Sequence, residues 1–320
     1  MKDQLLICPF CGYEESISEV DVEPTQKGYW CSDCDSFVYF QKDEDTRSAL
    51  ILLETHDQAG SGSKKKSNLK KYGSPLRYPG GKSKILDEIA EKLDPSKRTF
   101  VDVYCGGGSV GLSMLLSKRI DTLIMNDLDI NIVSLFHEIL MNPSSLIKKI
   151  ETRTPTRESY FEARKLLKTK DLKCEERAFL FLAQNRCAFS GIYDANPCTD
   201  LLARYNPKTL CKRILDIHDH RDQIQLLNQD ALELIEEQFW NPGATLFIDP
   251  PYVQKGSYLY AHSYTERDHR ALAELLESLV TGMPACADVL VTYDSDPLIK
   301  DLYGDFAKLE TLSRNYCILT

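Results

Sequence analysis

Apolar residues in this chain follow two patterns that alternate along most of its length. Short continuous runs, of the kind that form strands buried on both faces, occupy residues 100–104, 122–125, 223–227, 245–248 and 287–292. Between them apolar residues recur every three to four positions. That spacing predicts helices over 84–93, 110–118, 130–141, 159–167, 175–184, 208–218, 231–238 and 266–279. Strands alternating with helices from Pro75 onward describe an α/β fold. Between about 142 and 222 there are helices and loops but no convincing strand, so this stretch reads as an insert between two halves of a sheet. Ahead of the fold, residues 1–45 alternate as short strands do, with Ile17, Val20, Val22, Tyr29 and Trp30 as their apolar members. A short helix is expected over 46–53, and 58–67 is a Gly/Ser/Lys linker by composition. The chain thus divides into a small unit (1–45), a connecting segment with a lysine run (46–73), a main domain (74–141 and 223–320) and the insert (142–222).

Charge changes this picture only locally. The net −9 sits mainly in residues 1–60, with four Lys/Arg against thirteen Asp/Glu; residues 61–73 hold five lysines and no acid. Residues 74–320 hold thirty Lys/Arg against thirty-five Asp/Glu, so nucleic-acid contact would have to use a local patch. The lysine run reads as a solvated tether, one that would gain affinity beside DNA. No apolar stretch is long enough to span a bilayer and no signal peptide opens the chain, which predicts a cytoplasmic protein. Of eleven cysteines, seven are scattered singly. The other four, Cys8, Cys11, Cys31 and Cys34, form two Cys-x-x-Cys turns nineteen residues apart. Four thiolates in two such turns can converge on Zn2+, so a structural zinc ribbon is expected. A unit this small would draw much of its folding energy from the metal.

Two stretches suggest chemistry. Asp249-Pro250-Pro251-Tyr252 follows the run 244–248 directly, and its prolines end the strand abruptly. A carboxylate, a proline carbonyl and an aromatic ring then stand at the carboxyl edge of the sheet, where open α/β sheets bind ligands. The set suits methylation of an exocyclic amino group. Asp249 and the Pro250 carbonyl would accept its N–H bonds while Tyr252 stacks on the ring. A plain Pro-rich turn is the alternative for the tetrapeptide alone. Gly106-x-Gly108-x-x-Gly111 follows one strand and opens a helix, with Asp127 at the end of the next strand. Taken alone this is also a dinucleotide fingerprint, and a dehydrogenase would carry it equally well.

Further segments decide between these readings. Residues 78–82 read Tyr-Pro-Gly-Gly-Lys, 101–111 Val-Asp-Val-Tyr-Cys-Gly-Gly-Gly-Ser-Val-Gly, 126–127 Asn-Asp and 180–186 Leu-Phe-Leu-Ala-Gln-Asn-Arg. In this order, with Asp249-Pro-Pro-Tyr252 last, the set resembles the D12 class (Dam family) of adenine-specific DNA N6-methyltransferases over roughly residues 74–320. The resemblance implies a Rossmann-like methyltransferase sheet that binds S-adenosylmethionine (SAM), with a helical target-recognition insert. The implied reaction is methyl transfer to N6 of an adenine flipped out of DNA. Catalytic roles fall to Asp249, Pro250 and Tyr252. Cofactor contacts fall to Tyr78, Gly80, Gly81, Lys82, Tyr104, Gly106, Gly108, Asp127, Asp230 and Asp249. Residues 78–82 would meet the methionine end, Asp127 the ribose and Asp230 the cofactor adenine; helix capping is the other reading of Asp230.

DNA contacts are implied for Asn185, Arg186, Phe189, Ile192 and Tyr193, with an apolar one wedging into the vacated stack. Arg186, Arg204, Lys208, Lys212, Arg213 and Arg221 are candidate phosphate contacts. Members of the family that read GATC carry arginine where Asp194 stands, which sets this chain apart from them. The family usually continues into a last strand pair, so an incomplete sheet edge is expected near Thr320. Cytosine N4, RNA and a non-catalytic DNA-binding adaptor are the competing readings, and a restriction-modification setting goes with the first. The acidic ribbon is expected to meet a protein partner or pack on the main domain, so removing residues 1–60 should leave methylation largely intact.

Overall fold

Strands that alternate their side chains between two apolar layers form the centre of the molecule. The computed structural model describes residues 69, 73–77, 81–169, 171–191, 195–253, 264–282, 287–294 and 296–312, and the backbone of strands at 5–7, 14–16, 28–30, 37–39 and 48–53. Near the start, β1 (Leu5–Ile7) pairs antiparallel with β2 (Glu14–Ser16), and β3 (Gly28–Trp30) with β4 (Phe37–Tyr39). Each Cys-x-x-Cys pair falls in the connection of one hairpin; the four cysteines themselves lie outside the described residues.

The main sheet has seven strands: β5 (Ser48–Leu53), β6 (Thr99–Asp102), β7 (Thr122–Asn126), β8 (Ile224–Leu227), β9 (Ala244–Ile248), β10 (Asp288–Asp294) and β11 (Lys308–Leu312). Its order is β11-β5-β10-β9-β6-β7-β8. The five strands from β8 to β10 are parallel, and β5 runs antiparallel to both β10 and β11. Every residue of β9 is buried, and its side chains alternate between layers. Phe247 joins one core with Phe100, Leu123 and Phe136, while Leu246 and Ile248 join the other with Val101, Leu234 and Leu276. Burial on both faces is what a parallel sheet between helical layers requires.

Ten α-helices cover the sheet in the described residues. They are α1 (Leu86–Lys92), α2 (Ser109–Leu116), α3 (Ile130–Met141), α4 (Pro143–Thr152), α5 (Arg157–Leu166), α6 (Cys174–Cys187), α7 (Pro207–His218), α8 (Ala231–Phe239), α9 (Glu266–Gly282) and α10 (Pro297–Tyr303). The insert is α4 to α7. Its Phe179, Phe181, Leu182, Leu210 and Ile214 share the core of α1, α2 and α3, so it is built onto one face of the sheet.

Three expectations are corrected. The helix predicted over 46–53 is strand β5. Its run Leu50-Ile51-Leu52-Leu53 fits helix and strand equally by periodicity, and pairing on both sides decides for strand. The sheet edge beyond β10 is present, formed by β5 and β11, so removing residues 1–60 would take out an inner strand. Helix α4 was not anticipated either. Pro143 stands at its first helical positions, where a missing N–H costs nothing.

Candidate active site

The parallel strands end together on one side of the sheet, and four of the five contribute a polar residue to a single cleft. Asp102 closes β6, Asn126 and Asp127 close β7, Asp230 follows β8 and Asp249 follows β9. The cleft opens to solvent; Gly81, Lys82, Tyr104, Gly107, Asp127, Asp230, Phe247, Asp249, Pro251 and Tyr264 are among its walls.

Glycines let the chain between β6 and α2 wrap this space. Gly108 has φ of 68° as the residue before α2, and a Cβ there would come within 2.6 Å of Met125 Cε. Gly111 allows α2 to approach the sheet, since a Cβ would lie 2.5 Å from Leu123 Cδ1. The Gly106 N–H donates to Asp127 Oδ2 at 2.8 Å, and the Asp129 N–H donates to Asp127 Oδ1 at 2.9 Å. These bonds aim the Asp127 carboxylate across the cleft. Asn126 braces the floor, donating to the carbonyls of Val103 and Gln229 and accepting from the Gln229 N–H. Asp230 lines the cleft and also caps α8, accepting from Leu232 and Glu233 N–H, which is its helix-capping reading.

At the end of β9, Lys82 donates to both oxygens of Asp249, at 2.5 and 2.6 Å, and to the hydroxyl of Tyr252. Thr292 on β10 donates to Asp249 Oδ1 at 2.7 Å. The Lys82 side chain is 1% exposed and that of Asp249 19%, so the carboxylate faces the cleft while its cation is shut behind it. Lys82 Nζ also lies 4.7 Å from the centre of the Tyr252 ring.

The cleft crowds its acids. Burial pushes Asp102 up to about 8, with the charges of Asp249 and Asp127 adding to it, against a lowering backbone N–H from Gly111. Burial likewise pushes Asp127 up to about 7, against the N–H donors of Asp129 and Gly106. Tyr104 is raised well above its ordinary value by burial and by Tyr264, whose hydroxyl shares a short hydrogen bond with its own.

Of the residues expected here, Gly81, Lys82, Tyr104, Asp127, Asp230 and Asp249 line one cleft; Gly106 and Gly108 flank lining Gly107, and Pro250 and Tyr252 pack buried beside it. Tyr78, Gly80, Ile192, Tyr193 and Asp194 lie outside the described residues. Two proposed DNA contacts sit elsewhere than an outward-facing role requires. Asn185, 3% exposed, accepts from the Arg77 N–H at 2.8 Å and donates to the carbonyls of Arg77 and Gly191. Arg186 is buried and donates to the Arg204 carbonyl. Both hold the chain around the loop that starts at Phe189, which is partly exposed. Among the candidate phosphate contacts Arg204 is buried, Arg213 donates to the Ser74 carbonyl, and Lys208, Lys212 and Arg221 are exposed. Sequence reasoning missed Asp102, Thr292 and Tyr264. Asp102 stands inside a quoted motif, but Thr292 reaches the site only through sheet pairing and leaves no local signal.

The sequence model of the family described as D12 class N6 adenine-specific DNA methyltransferase matches residues 78–316. The DNA adenine methylase of Haemophilus influenzae is 24% identical over 234 residues, which covers 67% of this chain and 79% of that one. Modification methylase StsI of Streptococcus sanguinis is 36% identical over 89 residues, 27% of this chain and 13% of its own length. Type II methyltransferase M.FokI of Planomicrobium okeanokoites is 24% identical over 198 residues, 58% of this chain and 30% of its own. The matched part thus spans a minor share of the two modification enzymes. No helix among the described residues is long and apolar enough to cross a membrane.

Proposed function

The chain belongs to the D12 class of N6 adenine-specific DNA methyltransferases, and from that premise we propose that it transfers a methyl group to the N6 amino group of adenine in DNA. The observation that carries the reading is the group Lys82, Asp249, Tyr252 and Thr292, assembled at the strand end that borders the glycine-walled cleft. The cleft's polarity fits SAM: the half-buried Asp127 carboxylate is aimed to accept ribose hydroxyls, and Asp230 reaches the same space from β8. When bound, SAM supplies an electrophilic methyl.

The chain's own residues supply position and polarity. Adenine N6 is a poor nucleophile because its lone pair is delocalised into the ring. Asp249 and the Pro250 carbonyl, accepting from both N6–H bonds, would favour a pyramidal nitrogen with its lone pair turned toward the methyl. Lys82 and Thr292 hold Asp249 in one rotamer before substrate arrives, so little reorganisation is left for the reacting state. Gly81 and Lys82, in the wall beside Asp249, would meet the methionine end of SAM. Tyr252 offers a ring face to the flipped adenine. Phe189, Ile192 and Tyr193 remain the residues proposed to enter the DNA stack, on a loop held by Asn185. Lys208, Lys212 and Arg221, exposed on the insert and just after it, support phosphate contact.

A structural zinc on Cys8, Cys11, Cys31 and Cys34 belongs to the same reading, supported by the pairs' spacing and by their place in two hairpin connections. Its acidic surroundings favour a protein partner over DNA. A cytoplasmic location is the setting proposed for the whole chain.

The test is digestion of DNA and RNA treated with the purified protein and methyl-labelled SAM, followed by nucleoside separation. Label in N6-methyladenine of DNA is the expected result. Label in N4-methylcytosine or only in RNA, or no label with SAM demonstrably bound, would overturn the reading.

A further inference from the structure

We propose that His137, Glu138 and Cys174 form a zinc site that joins α3 to α6, apart from the cleft and from the four N-terminal cysteines. His137 Nδ1 lies 3.6 Å from Glu138 Oε1 and 3.6 Å from Cys174 Sγ. All three donor atoms lie within 4.8 Å of one another. Zinc takes thiolate, imidazole and carboxylate donors at about 2.0–2.3 Å in tetrahedral geometry, which sets neighbouring donors about 3.3–3.6 Å apart. Two spacings have that value already. The third needs only a side-chain rotation of Cys174 or Glu138.

A second observation points to a cation independently. Glu138 is 5% exposed, and its Oε2 is buried with no hydrogen-bond partner. A buried carboxylate oxygen left unpaired is costly, and a cation held by both oxygens of Glu138, or reached by Oε2 after the carboxylate rotates, removes the cost. His137 is half exposed and leaves an entry path from solvent. Cys174 is the first residue of α6, where the helix N-terminus favours a thiolate. It donates to the Ser134 carbonyl at 3.6 Å, and burial raises it above its ordinary range. Zinc binding replaces that thiol proton, which leaves to solvent as the sulfur–zinc bond forms. Three protein donors leave one position for water.

The two helices so joined lead to different parts of the reaction. Helix α3 starts directly behind Asp127–Asp129 of the cofactor cleft, while α6 ends at the Asn185–Arg186 pair that holds the loop at Phe189. The ion would fix the insert against the cofactor-binding half of the sheet.

The experiment uses the full chain, loaded with zinc and dialysed against metal-free buffer. Wild type should hold one zinc more per chain than Cys174→Ser or His137→Ala, whatever the N-terminal cysteines retain. Cobalt in place of zinc should give a thiolate-to-cobalt absorption that is weaker in Cys174→Ser. In wild type, zinc should slow alkylation of Cys174 at least tenfold, as mapped by mass spectrometry, and this readout stands even if a variant folds poorly. Equal zinc content in folded variants, or alkylation of Cys174 at the same rate with and without zinc, would overturn the site.

Discussion

The cofactor cleft and the interior of the insert use buried polar groups in opposite ways. In the insert, several buried polar groups are tied mainly to backbone. Arg177 donates to Asn131 and to the carbonyls of Leu167 and Thr169, Tyr205 donates to the Ile150 carbonyl, and Asn185 binds two separate loops. In the cleft, Asp102, Asp127, Asp230 and Asp249 converge on one space, and Lys82 is bound to Asp249. The insert's groups stabilise the fold as it stands. The cleft's groups are crowded, and burial raises Asp102 and Asp127 above the usual carboxylate range, an arrangement that a ligand with hydrogen-bond donors would relieve. Perturbed acids gathered in a concave site are a mark of function, and buried side chains tied to backbone are a mark of scaffold.

The largest test of this contrast is Asp249→Ala. It should cost about two to three orders of magnitude in methyl transfer, as loss of one preorganised group does. The circular dichroism should stay close to wild type. Near-normal turnover with SAM saturating would remove Asp249 from the chemistry.

The matching change in the insert is Asn185→Ala, which strands buried backbone groups of Arg77 and Gly191. Unfolding in urea should show a loss of roughly 2–4 kcal/mol, at about 1–3 kcal/mol per unsatisfied group. Unaltered stability with weakened DNA binding would mean that Asn185 faces DNA after all.

A pH experiment sharpens the cleft's side of the comparison. An unfolded aspartate loses its proton near pH 4, whereas Asp127 holds it to about 7 and Asp102 to about 8. Over that window the folded chain binds more protons, so their contribution to stability is full below about pH 4 and falls as pH rises through 7 to 8. SAM binding should show the reverse trend, because ribose hydroxyls bind the ionised Asp127 best. Affinity by calorimetry should rise about tenfold from pH 6 to pH 8, following the ionised fraction of a group near 7. Asp127→Asn should flatten the curve, and an unchanged slope would place the titrating group elsewhere.

The smallest effect is expected from Tyr252→Phe. It keeps the ring and loses one hydrogen bond to Lys82, worth about 0.5–1.5 kcal/mol, so activity should fall less than about tenfold. Tyr252→Ala should fall further, by the stacking contribution of about 1–3 kcal/mol per base. Equal damage from both would assign the role to the hydroxyl.

Much of the fold was legible because parallel strands buried on both faces must be apolar throughout, which marks β6, β7 and β9 in the sequence. The glycines and acids that follow those strands could be placed by the same logic. What escaped depends on partners far along the chain. Nothing near residue 50 says that β10 and β11 will flank it, and nothing near 292 says that its hydroxyl will meet Asp249. Asn185 looked like a surface residue beside a basic one until its two bound loops were visible.

Strand β5 has a consequence for the order of events during synthesis. It leaves the ribosome early, but both of its neighbours, at 288–294 and 308–312, are made near the end. A ribosome adding about 5–20 residues per second would leave its edges unpaired for many seconds. Such an edge invites pairing with a neighbouring nascent chain, and the acidic stretch ahead of it, through residue 45, would repel another copy of itself.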